Sequence, residues 1–85
     1  MQIHDREGNE VADIELSEKM QHALELGNEV AVIYHTPQLL RSTLGENAGS
    51  FTLRKTGDFV VAQDVATLRK YVDLQAAIKR AREQR

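Results

Sequence analysis

The chain has 85 residues, 41% of them apolar and 28% charged, with a formal net charge of −2 and no cysteine. That length admits a single domain, residues 1–85, burying about 60–65% of the surface its unfolded form exposes, and the composition is too apolar and too near neutral for a disordered chain. Disulfides, cysteine-ligated zinc and thiol catalysis are excluded together, and the longest purely apolar run, Val30–Ile33, is far shorter than a membrane helix requires.

Residues 1–16 read as two short strands around a polar turn. The segment DREGN supplies Gly8 and Asn9, which tolerate positive φ, and Ile3 on one arm faces Ala12, Ile14 and Leu16 on the other. The same opening has no apolar core followed by a small-residue cleavage site, so the expected location is cytoplasmic. Ser17 has the chemistry of a helix cap, Met20, Ala23 and Leu24 share one helical face, and Gly27 is placed to stop the helix. EVAVIYH is the clearest strand. Apolar residues on both of its faces predict a central position covered on both sides.

Thr36 as a cap and Pro37 at the first helical position open a short helix that Gly45 ends. About two turns are marginal alone, so Leu39, Leu40 and Leu44 are expected to dock. ENAGS reads as a flexible loop. FTLRKTGDFVVAQ reads as a second hairpin, with both Phe51 and Phe59 assigned to the core, and Asp64 caps a final helix running from Val65 to near the end of the chain. The order β-β-α-β-α-β-β-α, with hairpins instead of repeated crossovers, predicts an α+β fold with a mostly antiparallel sheet on helices.

Charge is divided along the chain. Residues 1–40 hold two basic and eight acidic side chains, a balance of −6, whereas residues 41–85 hold nine and five, a balance of +4. One reading is complementary surfaces within the fold or between subunits. The other is a nucleic-acid face assembled from Arg54, Lys55, Arg69, Lys70, Lys79, Arg80 and Arg82, with Arg85 beyond them. The near-neutral total and the scarcity of aromatic residues weigh against a dedicated nucleic-acid binder. The cations of the last two turns are also explained by the negative end of the helix dipole.

On the wheel of the last helix, Val65, Leu68, Tyr71, Val72 and Ala76 form a first stripe. The later apolar positions, Leu74, Ile78 and Ala81, rotate away from it. Tyr71-Leu74-Ile78-Ala81 has the 3-4-3 spacing of a helix–helix seam. A drifting stripe implies that the second half of the helix meets something beyond its own sheet: helix 1, another protein or a second copy. These four residues are therefore the candidate partner-binding set, and a two-fold dimer is the expected assembly.

No catalytic constellation emerges. His4, His22 and His35 are isolated, with no partner at metal-ligand spacing. DREGNE places its glycine and acids wrongly for a calcium loop, and neither a nucleophile elbow nor a phosphate-binding glycine loop occurs. Neither metal nor cofactor is expected. LELGNEVAVI and KTGDFVVAQDVATLRKYVDL together resemble the helix, hairpin and helix of the small head-joining proteins of lambda-type phages. The likeness rests on Gly27-x-x-Val30-Ala31, Gly57 in a turn and Leu68-x-Lys70-Tyr71-Val72, over about half the chain. Those spacings are generic to amphipathic elements, and the first hairpin and the stretch YHTPQLLRSTLGENAGS are additions to that pattern. No family is assigned and no functional residue is carried across. The sequence thus points to a non-enzymatic protein-interaction module, homodimeric through its last helix, with an accessory nucleic-acid-binding or regulatory role as the alternative.

Overall fold

Asp5 organises the first turn. Its carboxylate accepts the backbone N–H of Glu7 at 3.0 Å and of Asn9 at 2.8 Å, while Gly8 takes φ +87°. Chiefly the Asn9 amide holds the Asp5 carboxyl below its ordinary range. The turn folds β1 (Gln2–His4) back on β2 (Glu10–Asp13). The second hairpin, β4 (Ala48–Thr56) and β5 (Phe59–Ala62), closes on the pair Thr56–Phe59, with Gly57 at φ +62° in the first of two turn positions. That is the glycine-requiring slot of a tight hairpin turn whose twist matches the strands.

The computed structural model describes residues 1–83 and has the α+β architecture that the element order predicts. After β2 the chain forms α1 (Glu18–Glu25), crosses to the far side as β3 (Val30–His35), and makes a 3₁₀ turn (Gln38–Leu40) and a short α2 (Arg41–Leu44). It then returns through β4 and β5 to α3 (Val65–Glu83). The five-stranded sheet has the order β2-β1-β5-β4-β3, antiparallel throughout except for the β1–β5 pair. Ser17 Oγ accepts the Met20 amide at 3.2 Å to start α1. Gly27 and Asn28 donate back to Leu24 and Ala23 to end it. Asp64 starts α3 by accepting the Thr67 amide at 3.1 Å and the Thr67 hydroxyl at 2.6 Å.

One sheet face carries the core. Ile3, Val32, Tyr34, Phe51, Leu53, Val60 and Ala62 are buried in one cluster with Leu24 of α1 and Leu68, Leu74 and Ile78 of α3. Tyr34, Phe51 and Tyr71 stack with ring centroids 5.4–6.5 Å apart. Tyr34 also lies over its cross-strand neighbour Gly49, where an added Cβ would sit 2.7 Å from the phenol oxygen and 2.9 Å from the ring.

The structure corrects five expectations. β3 is an edge strand, not a central one, because the α1 crossover delivers it outside β4; its outer side chain Ile33 is 78% exposed. The segment ENAGS is not a loop throughout, since Ala48–Ser50 already pair with β3. Thr36 does not cap the following turn. Its buried hydroxyl accepts the Asn47 amide at 2.9 Å, which closes the β3–β4 ladder instead. Phe59 is half-exposed against His4, at a ring separation of 4.5 Å, and Leu39 is undocked at 87% exposure, whereas Leu40 and Leu44 do pack on the core.

Gly49→Ala should lower stability by about 1–3 kcal/mol, since the packed Tyr34 ring has no free direction to move; a denaturant melt checks this. The Thr67 hydroxyl, then its amide, holds the Asp64 carboxyl below its ordinary value of 3.8. A depressed carboxylate stabilises the fold above its unfolded pKa and loses that contribution as the pH falls through the folded value. Asp64→Ala should therefore melt lower than the parent at neutral pH, with the difference shrinking in acid below pH 3.8.

Candidate functional site

The four residues assigned to a partner-binding ridge, Tyr71, Leu74, Ile78 and Ala81, do share one side of α3, but the side is turned inward. Leu74 and Ile78 retain only 6% and 8% of their surface, and Tyr71 and Ala81 are half-buried. The premise that a lone protomer leaves them uncovered is therefore wrong. Leu68, Tyr71, Leu74, Ile78 and Ala81 form one continuous stripe. The apolar positions do turn around the helix, from Leu68 and Val72 to Leu74 and Ala81, but the protomer covers both halves, and of the first stripe only Ala76 is exposed. Past the sheet, the chain's own segments continue the cover. Ile14, following β2, and Leu40, in the 3₁₀ turn, line hollows on either side of Ile78.

Those hollows are shallow. The larger, about 620 Å³, has Asp13 and Glu15 on one wall and Lys79 and Arg82 of α3 on the other. It sets part of the acidic half of the sequence beside part of the basic half, in keeping with the complementary-surface reading of the −6/+4 division. No ion pair between side chains forms among the described residues. The smaller, about 210 Å³, joins Ala81 to Pro37, Leu39 and Leu40, and brings the predicted ridge to the exposed apolar side chain of Leu39.

The basic residues do not assemble into one patch. Arg54 and Lys55 pair with Val61 and Val60 next to the β4–β5 turn. Lys79 shares a hollow with Asp13 and Glu15 beside β2, and Arg82 lies between that hollow and the Pro37 turn. Ala48, whose partner His35 leads into the Pro37 turn, lies six steps of β4 from Arg54, about 20 Å at about 3.3 Å each. Arg69, Lys70 and Arg80 are exposed along α3. Arg85 lies outside the described residues. The histidines are also dispersed: His22 on α1, His35 on β3, and His4 at the β1–β5 seam, its Nδ1 buried without a hydrogen-bond partner. Among the described residues no group of three His, Asp or Glu stands close enough to hold a metal, and no helix is long and apolar enough to cross a membrane.

The surface that sequence reasoning missed is the free edge of β3. The Thr36 amide donates to the Asn47 carbonyl at 2.8 Å, and the Gln63 amide donates to the Thr52 carbonyl at 3.2 Å. By the alternation of an antiparallel ladder, Val30, Val32 and Tyr34 direct their backbone groups at β4, while Ala31, Ile33 and His35 direct theirs away from the sheet. The two sheet edges differ in kind. β2 is four residues long, carries Glu10 and Asp13, and its register with β1 shifts irregularly, all devices that discourage further pairing. β3 offers six residues in unbroken register, with no charge, proline or bulge. Three of the five exposed large apolar side chains, Leu26, Ile33 and Leu39, fall in or beside it in the chain. The lack of charge in VAVIYH is the available signal, and a buried strand and an open edge share it.

Because Ile78 is a core residue, Ile78→Glu should unfold the protein instead of dissociating an assembly. A loss of at least about 3 kcal/mol is expected from the cavity and the buried carboxylate together, read as a collapse of the urea midpoint.

No family model, curated protein or solved structure matches this chain, so neither the resemblance to head-joining proteins nor any other relationship adds a role to the residues described above.

Proposed function

We propose that the chain is a non-enzymatic protein-interaction module that takes a partner polypeptide by strand addition along β3. The observation that carries this reading is the row of outward backbone groups on Ala31, Ile33 and His35, in an edge free of charge, proline and bulge. Unpaired edge groups of this kind template the addition of another strand, with main-chain hydrogen bonds giving affinity and the alternate side chains giving selectivity. Ile33, 78% exposed on the open sheet face, is the side chain such a partner would cover first. α3 contributes only at its far end, through Ala81 beside Leu39. The nucleic-acid alternative has less to stand on, since its cations are divided between β4 and α3 and two of them, Lys79 and Arg82, share a hollow with Asp13 and Glu15.

Addition of an extended peptide of alternating valine and threonine to isotopically labelled protein tests the reading. The amides of Ala31, Ile33 and His35 should shift and become protected from exchange, whereas those of Val30, Val32 and Tyr34, already bonded to β4, should change little. An unperturbed β3 with salt-sensitive retention on heparin would move the function to the basic residues of the second half.

A further inference from the structure

We infer that the partner seated on the β3 edge is a second copy of the chain, its own β3 lying antiparallel across a two-fold axis at Ile33. This rests on the strand-addition reading above and names the partner for that edge.

The edge has the self-complementarity that an isologous contact demands, in which residue i meets j and j meets i. With the axis at Ile33, Ile33 meets its own copy, Ala31 meets His35, and Val32 meets Tyr34. The outward-facing groups of Ala31, Ile33 and His35 fall into hydrogen-bonded pairs, giving about six inter-chain bonds. No charged side chain lies in the strand, so no like charges oppose one another, and His35 is set against alanine, away from its own copy. The flanking residues follow the same symmetry. Leu26, 66% exposed, precedes the strand, and Leu39, 87% exposed, follows it. Antiparallel two-fold pairing carries the beginning of one β3 to the end of the other, and so brings the region of each Leu26 towards that of the partner's Leu39. A heterologous strand would have to supply matching apolar residues at both ends, whereas a second copy does so by construction.

The expected strength follows from extent. Six residues of edge with three flanking or central apolar side chains fall at the low end of specific interfaces, below about 1,200 Å² in total. The dimer should accordingly form in the micromolar range.

Sedimentation equilibrium of the full chain over low to high micromolar concentration reads the outcome. The parent should move from the 9.6 kDa chain mass towards twice that value. Ile33→Lys places a charge on the edge and costs the monomer little, because the side chain is exposed. It should keep the parent circular dichroism and melting temperature while weakening association at least tenfold. Arg69→Glu, exposed on the first half of α3 and away from the β3 edge, should leave the dimer intact. A parent that stays at the chain mass throughout, or an Ile33→Lys variant that dimerises as the parent does, overturns the inference. If the parent is monomeric yet its Ala31, Ile33 and His35 amides are protected by the valine–threonine peptide, strand addition stands and only the second copy is refuted. If neither occurs, both readings fall.

Discussion

A chain of this size has enough apolar side chains to cover one face of a five-stranded sheet, and the rest of the molecule is arranged around that limit. α1 and α3 contribute Leu24, Leu68, Leu74 and Ile78, which meet Val32, Tyr34, Phe51 and Leu53 on the inner face. Among the described residues no helix covers the opposite face, where Ile33 stands open and Phe59 shields His4 in part. Covering one side only also explains why α3 is long. Its first half packs on strands, and its second half overhangs them, held by Ile14 and the Pro37–Leu40 turn. The Tyr34–Phe51–Tyr71 cluster lies where these two supports meet, and the glycine at position 49 exists beneath Tyr34 because no larger residue fits.

Much of this was legible in the sequence where local chemistry is decisive. Ser17, Gly27, Gly57 and Asp64 mark the ends of their elements through cap bonds and positive φ, and all four perform those parts. What failed was inference from apolarity to location. VAVIYH is apolar on both faces, and that pattern fits a buried strand and an unprotected edge equally well. Strand order resolves the two, and strand order depends on where the α1 crossover lands, a long-range fact with no local signature. The turning stripe of α3 is ambiguous in the same way: the rotation from Leu68 and Val72 to Leu74 and Ala81 is real, but Ile14 and Leu40 of the same chain cover its second half. Thr36 shows competition between two good bonds. A hydroxyl beside Pro37 is a plausible cap, but the Asn47 amide arriving from β4 claims it.

The proposed association surface therefore lies on the sheet and not on the helix. Seam spacing along Tyr71, Leu74, Ile78 and Ala81 reflects packing within the protomer, and its exposed remnant is the corner shared by Ala81 and Leu39. The edge of β3 lacks the charge and irregularity that guard β2, so the asymmetry between the two margins of one sheet bears most directly on a binding role.

The parallel seam at the middle of the sheet has a bearing on how the molecule comes together. It rests on only two residue pairs, Ile3 with Val60 and His4 with Val61, yet it unites strands from opposite ends of the chain. Closing so long a loop carries a larger entropic cost than forming either adjacent hairpin. The meander β3-β4-β5 is therefore the natural early unit, and the β1–β2 hairpin is the late arrival, docking through a narrow join that would part first when the sheet is pulled or warmed.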